Sequence, residues 1–298
     1  MRTYIKSDNS FSPALPSFSA GSDIRMGGIR SAAFKTMKKY WTIFKLELQR
    51  EMQYRFNFFI SIFSNGFILV FFFYFWIKIY SEGNKIGNYD LKALLTYYLL
   101  VTIWTFLFFR DTGWMISDEI RLGVVNNFLL KPLSYIFNHL AKYFGGFANG
   151  LVNYIPILII FFIFLKKFLV YPNNWKQWIF FIISFILAAF LYFLISYNLG
   201  LTSFWLGMIQ SIVYGSQIIG EFLGGKYIPM DLFPNWLLKI SNFLPFRYMI
   251  YEPISIFLNK AQFSWQSLIV PIVWIAILSI TACILWKRGI KIYEAYGA

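Results

Sequence analysis

Cysteine and histidine are almost absent from this chain. Among its 298 residues, Cys283 is the only cysteine and His139 is the only histidine. The sequence therefore excludes an intrachain disulfide and a metal site built from several cysteines or histidines. A lone histidine also argues against histidine-based catalysis, so most classes of enzyme are disfavoured.

Charged residues are scarce as well. They make up 13% of the chain, against about a quarter in soluble domains, while 58% of the residues are hydrophobic and 22% are aromatic. A soluble core of this size would leave too much apolar surface in water, so the composition predicts a membrane protein. The net charge of +14 is explained better by basic residues that flank spans and face anionic lipid than by a nucleic-acid partner. No nucleic-acid partner is therefore expected.

The region before the first apolar run divides into two parts. Residues 1–36 are rich in serine, glycine and proline and lack the apolar region of a secretory signal. They are predicted to be a disordered tail or an extension upstream of a true start at Met37, with a transit peptide as the weaker alternative. A basic amphipathic helix is predicted over 37–56, typical of the cytoplasmic membrane interface, although a solvated helix packed on another domain has the same pattern. Its apolar stripe is Met37, Trp41, Phe44, Leu48 and Met52.

Six long apolar runs follow, at about 57–77, 91–109, 144–165, 178–197, 202–222 and 268–286. Each is close to the roughly 20 residues that a helix needs to cross the hydrocarbon core, and their continuous apolarity favours helices over a barrel. The predicted fold is therefore all-α, with a six-helix transmembrane domain at 57–286 and a tail at 287–298. With both termini cytoplasmic, the inner segments carry 17 lysines and arginines and the outer segments 10, a bias that favours this orientation in a cell membrane.

A half-polar stretch, IRLGVVNNFLLKP, separates the second and third runs at 120–132. Ile120, Val124 and Phe128 share one helical stripe, and Pro132 tends to end the helix. A short helix with an apolar edge suits a groove on a cytosolic partner, but an interfacial connector between two spans is the simpler interpretation of the pattern alone. The candidate docking residues are Ile120, Arg121, Gly123, Val124, Asn127, Phe128, Leu129 and Pro132.

The fifth run carries two stripes of non-aliphatic residues. Small residues recur every four positions, a pattern that lets helix backbones approach closely, so a helix or subunit interface is predicted at Ser203, Gly207, Ser211 and Gly215. Polar side chains in a span usually face a pathway or a bundle interior. The polar stripe therefore predicts either a transport pathway or ordinary hydrogen bonding within one subunit; its members are Gln210, Tyr214, Gln217 and Glu221.

The stretch after the fifth run is rich in proline, which breaks helices into short pieces, and in aromatic rings suited to a headgroup layer. A broken or re-entrant element at the outer face is predicted there. At 220–226 the letters GEFLGGK match the spacing of a phosphate-binding loop. That loop needs a preceding strand and a Ser or Thr after the lysine, whereas position 227 is tyrosine, so this chain is not expected to hydrolyse ATP.

Two stretches, IRLGVVNNFLLKPLSY and GGKYIPMDLFPNWLLKISNFLPFRYMIYEPISI, resemble the most recognisable segments of bacterial type-2 ABC exporter permeases. The similarity is greatest to an uncharacterised transport permease branch akin to daunorubicin-type drug exporters, and it covers roughly Met37 to the C-terminus. The resemblance implies a half-transporter whose coupling helix, within 120–132, inserts into a separate ATPase subunit that binds ATP and Mg²⁺. No cofactor is then expected in this chain. The implied partners are the ATPase and a second permease (identical or homologous), and membrane lipids are expected around the spans. The aromatic, weakly charged spans are compatible with an amphiphile, a drug, a peptide or a lipid as substrate and do not identify it.

Two other functions suit a chain with several spans. A membrane-embedded transferase would need clustered histidine or acidic residues near a span end. Asp111, Asp118 and Glu119 form such an acidic group, but no histidine lies beside them in the sequence. A channel, or a transporter not driven by ATP, would be favoured by paired broken helices, and only one proline-broken region is present.

Overall fold

The computed structural model of the chain describes residues 37–50, 55–83, 87–108, 112–260 and 264–293. The predictions made for 1–36, for Met52 and for Asp111 lie outside these ranges. The described residues form thirteen α-helices joined mostly by short turns, which confirms the all-α prediction for this part of the chain. The helices are α1 (37–50), α2 (Arg55–Ser81), α3 (Leu91–Phe108), α4 (Thr112–Arg121), α5 (Val125–Leu129), α6 (Tyr135–Leu165), α7 (Trp175–Leu201), α8 (Ser203–Leu206), α9 (Gln210–Leu223), α10 (Asn235–Phe243), α11 (Pro245–Met249), α12 (Tyr251–Phe257) and α13 (Gln266–Ile292).

Three stretches among the described residues are long and apolar enough to cross a membrane: Leu91–Arg121, Trp175–Leu206 and Gln266–Ile292. A shorter apolar helical stretch covers Val70–Ser81. The three long stretches overlap the second, fourth and sixth predicted runs, and the shorter one overlaps the end of the first. Apolar helices of this length satisfy every backbone polar group internally, which is why they suit a bilayer. The count of six crossings stays a prediction.

Helix α7 lies at the centre of the bundle and contacts both α4 and α13. Its second half is almost entirely buried, and small residues such as Ala188, Ala189 and Gly200 let the neighbouring backbones come close. One polar contact fixes α13 against it. The side-chain amide of Asn198 donates to the Leu278 carbonyl at 3.0 Å and accepts from the Thr281 hydroxyl at 3.0 Å.

The fifth predicted span, 202–222, is not one continuous helix. The chain leaves α8 at Gly207, whose φ of +66° lies in the left-handed region, and α9 begins at Gln210. A residue in this conformation ends a right-handed helix, and glycine adopts it without steric cost. Helix α9 has 14 residues and rises about 21 Å, which is shorter than the roughly 30 Å of a hydrocarbon core.

The short helices α10, α11 and α12 occupy the proline-rich stretch, as its prolines predict. Tyrosines at the start of α3 hold this region in place. The Tyr97 hydroxyl donates to the Gly225 carbonyl, and the Tyr89 hydroxyl donates to Asp231 at 2.7 Å. Helices α4 and α5 follow the other end of α3. The short helices and α5 therefore lie at opposite ends of the bundle.

Candidate functional site

The segment 120–132 contains two helices, not one. Helix α4 ends at Arg121, the turn 122–124 follows, and α5 begins at Val125. Gly123 has a φ of +77°, which breaks the helical path. The prediction of a single amphipathic helix across this segment is therefore wrong, and so is its single stripe.

The break divides the stripe residues between two environments. Ile120 is buried, and Phe128 packs edge-on against Tyr135 of α6 with ring centroids 5.1 Å apart. Val125, between them, is 0% exposed. These side chains anchor the segment to the bundle: Ile120 and Val125 are inaccessible to a partner, and Phe128 is half-buried. Val124, the third member of the stripe, points outward and is exposed.

Four exposed apolar side chains project around the buried anchor: Leu122, Val124, Leu129 and Leu130. We call these four residues the docking patch. Leu130 is 86% exposed, and the helical stripe did not single it out. Asn127 and Pro132 are exposed beside the patch, and Arg121 pairs with Asp118 at 3.1 Å. The patch thus has an apolar centre and a polar edge.

A buried polar cluster ties α4 to α6 directly beneath this segment. The Glu119 carboxylate accepts from the Tyr135 hydroxyl at 2.8 Å, lies 3.1 Å from Nε2 of His139 and pairs with Lys142 Nζ at 3.2 Å. The sequence-based view that no histidine lies near the acidic group is therefore wrong in three dimensions. No group of three or more His, Cys, Asp or Glu side chains within the described part of the chain could hold a metal ion. The cluster fixes the end of α4, from which the turn to α5 leads, to α6.

The polar stripe of α9 ends at one buried carboxylate, which contacts one other member of the stripe. Glu221 pairs with Lys226 Nζ at 2.8 Å, and it accepts from the Gln217 amide at 3.1 Å and from the Tyr227 hydroxyl at 2.8 Å. Burial and the Glu221 carboxylate raise the pKa of the Tyr227 hydroxyl to about 12, so it stays a proton donor at neutral pH. Both carboxylate oxygens therefore have partners from this same chain.

A cleft of about 540 Å³, counting its open mouth, lies beside this carboxylate between α3, α4, α7, α9 and α11. Gln217 and Glu221 line it together with aromatic rings: Trp104, Trp114, Tyr192 and Phe246. Trp104 is 2% exposed, and its indole N–H has no acceptor among the described residues. Tyr214 is exposed and Gln210 is half-buried, and neither lines the cleft. The structure therefore brings two of the four stripe residues to one cavity.

The small residues of the fifth run do not form one helical face, because the break at Gly207 divides them. Ser203 is buried on α8 and donates to the Gly200 carbonyl at 2.8 Å, whereas Ser211 is exposed on α9. A Cβ placed on Gly207 or Gly215 would meet no atom within 4 Å in this chain. The predicted interface stripe is wrong as a continuous surface.

The close helix approach lies elsewhere, between α4 and α7. A Cβ on Gly200 would stand 2.8 Å from the Ile116 Cβ and 3.0 Å from the Gly113 carbonyl oxygen. The Gly113 N–H also donates to the Ser196 hydroxyl at 3.0 Å across the same crossing. The sequence signal was present, since Ser196 and Gly200 are four residues apart, but it lay at the end of the fourth apolar run and just beyond it, not in the fifth run.

The apparent phosphate-binding loop at 220–226 is the end of α9 and the turn after it. Lys226 pairs with Glu221, five residues before it. A phosphate-binding loop follows a strand and opens a helix. The geometry at 220–226 is different, in agreement with the sequence-based rejection.

The chain matches a known family of transporters. The family described as ABC-2 family transporter protein matches residues 66–297. The match includes the docking patch, the cleft and the short helices α10 to α12. No curated protein matches the chain.

Proposed function

The chain belongs to the ABC-2 family of transporter proteins, and from this premise we propose that it is the permease subunit of an ATP-driven exporter of the cell membrane. It works with a separate ATPase subunit, which binds ATP and Mg²⁺, and with a second permease, identical or homologous. Both termini are cytoplasmic, and the docking patch faces the ATPase.

The docking patch is the observation that carries this proposal. Its exposed leucines stand on a segment whose base is fixed by Val125 and by the Glu119 cluster. An apolar projection on a rigid base is suited to a groove on a partner, because burying it costs little conformational entropy. A force applied by the partner would reach α4 and α6, since Glu119 of α4 is bonded to Tyr135 and Lys142 of α6.

Replacing Leu129 by aspartate is expected to abolish recovery of the ATPase with the permease while the permease still reaches the membrane. The new carboxylate would be buried unpaired in the partner's groove, at a cost of several kcal/mol. The measurement is the amount of nucleotide-binding subunit that co-purifies with the tagged permease from native membranes. The purified permease alone should show no ATPase activity.

The matched control is Asn126→Asp, which adds the same charge to the same short helix and removes no apolar side chain. Asn126 is exposed, so the variant should fold and retain the partner. Equal recovery of the ATPase with Leu129→Asp and wild type would show that α5 is only a connector at the membrane interface.

The cleft beside Glu221 is the proposed section of the transport pathway. Its aromatic walls suit the apolar part of an amphiphilic substrate, and its polar groups offer both donors and acceptors. The unpartnered indole N–H of Trp104 would donate to a substrate acceptor. These features support an amphiphile as the substrate class.

A further inference from the structure

A second, larger cleft lies at the end of the bundle opposite the docking patch, between α10 to α12 and the first turns of α13. It encloses about 1370 Å³, counting its open mouth. Its two halves differ in chemistry. The residues near the start of α13 and on the short helices are polar: Asn242, Arg247, Glu252, Ser264, Gln266 and Ser267. Further along α13 the wall is apolar.

The polar half is organised around one ion pair. Arg247 Nε donates to Glu252 Oε2 at 3.0 Å, and its Nη1 donates to the Asn242 side-chain oxygen. Glu252 also accepts from the Ser267 hydroxyl, which ties α12 to α13. The Glu252 side chain is only 5% exposed, so this is a built feature and not a chance surface contact.

Arg247 has N–H donors that the ion pair does not use. A guanidinium group has five N–H donors, and two of them have the acceptors named above. The remaining three have no acceptor among the residues that the structure describes, and the side chain is 20% exposed at the cleft. Guanidinium donors in a fixed plane match the geometry of a phosphate.

The apolar half continues along one side of α13, formed by Ile269, Val273 and Ile277. These residues are spaced by four and are exposed. Phe243 of α10 stands opposite them, and its carbonyl accepts from the Trp274 indole N–H at 3.0 Å. An apolar channel with a charged mouth is suited to bind an amphiphile, whose polar head would lie at the mouth and whose apolar tail would lie in the channel.

We propose that this cleft holds one phospholipid of the surrounding membrane, with a zwitterionic headgroup in the polar half and an acyl chain along α13. The mouth carries one cation and one anion, so its net charge is zero and a headgroup with both signs complements it. The phosphate binds the free guanidinium donors of Arg247, and the headgroup ammonium lies towards Glu252. Lipid that merely surrounds the protein needs neither the ion pair nor a cleft. The proposal requires only that the chain lies in a bilayer, not that it transports.

The test uses the full chain in phosphatidylglycerol vesicles that contain a small amount of phosphatidylethanolamine with a photoreactive diazirine in one acyl chain. After illumination, mass spectrometry maps the labelled residues. The expected labels concentrate on 269–277 and around Phe243. A diacylglycerol probe with the same acyl chains but no headgroup should label these residues about tenfold less, because it lacks the charge-assisted hydrogen bonds.

Two variants separate the cleft from the lipid-facing surface. Val273→Trp fills the cleft and should lose most of the labelling, whereas Ile272→Trp adds the same bulk at an exposed neighbour that does not line the cleft. Arg247→Lys keeps the positive charge and the Glu252 partner but removes the free guanidinium donors, so it should reduce the preference for phosphatidylethanolamine over diacylglycerol. This variant tests the proposal independently if Val273→Trp folds poorly. Labelling spread evenly along α13, or equal labelling by the two probes in wild type, would overturn the proposal.

Discussion

Replacing Gly200 by leucine is expected to prevent the chain from accumulating as a folded membrane protein. The reason is the crossing of α4 and α7. A Cβ at this position would stand 2.8 Å from the Ile116 Cβ, and the neighbouring Gly113 carbonyl leaves no room on the other side. Overpacking a close contact typically costs about 1–3 kcal/mol, and a leucine that collides with backbone exceeds that range. The measurements are the yield of monodisperse protein after solubilisation and its thermal midpoint.

Gly215 supplies the matched control for this prediction. It lies on α9, and an added Cβ there would meet nothing within 4 Å. Gly215→Leu should therefore leave folding and the thermal midpoint close to those of wild type. Gly200→Ala adds a single methyl group and should fall between the two. A normal yield of Gly200→Leu would mean that α4 and α7 do not approach as the structure has them.

The break at Gly207 could not be seen in the pattern of small residues along the fifth run. A serine or glycine every four positions looks the same in sequence whether the glycine sits within a helix or ends it. Only the left-handed conformation of Gly207 reveals the break, and hydropathy carries no information about φ. The small residues of the tighter crossing are Ser196, at the end of the run predicted as the fourth span, and Gly200, just beyond that run, and both of them meet α4.

The fold class was easier to predict than the site. Long continuous apolar runs favour helices in a bilayer, because a helix satisfies its own backbone polar groups. The prolines at 229, 234, 245 and 253 predict the short helices after α9. The assignment of 120–132 as a docking segment stays a prediction, and its exposed face could not be predicted from one helical period because Gly123 rotates α5 relative to α4. That rotation packs the half-buried Phe128 against Tyr135 and leaves Leu130 exposed, a division that a single 3.6-residue period cannot describe.

Contacts between residues far apart in the chain could not be predicted from the sequence. Glu119 and His139 lie twenty positions apart, and they meet only because the chain reverses between α4 and α6. One histidine among 298 residues offers no spacing pattern to interpret. The partners of Glu221 were closer in sequence, but Lys226 was considered only as a member of a false phosphate-binding loop.

The Lys226→Met substitution is expected to destabilise the protein severely and to decide between the two interpretations of the polar stripe. Glu221 is buried, and Lys226 is its only cationic partner among the described residues. Removing one member of a buried ion pair costs about 3–5 kcal/mol, because the other charge is left uncompensated away from water. The thermal midpoint in detergent, followed by intrinsic fluorescence, should fall well below that of wild type.

The double variant Glu221→Gln with Lys226→Met is the control that isolates the charge. Glutamine is nearly the same size and can still accept from the Tyr227 hydroxyl, and methionine preserves much of the lysine stem. With no uncompensated charge left, most of the lost stability should return.

A carboxylate in a water-filled pathway would behave differently, since water solvates it without help from a cation. If Lys226→Met alone melts at the wild-type temperature, Glu221 is hydrated and faces an aqueous pathway. If Lys226→Met melts at a lower temperature and the double variant recovers, the Glu221 carboxylate is desolvated and serves to hold the turn 224–227 against α9. The pathway then passes through the aromatic part of the cleft.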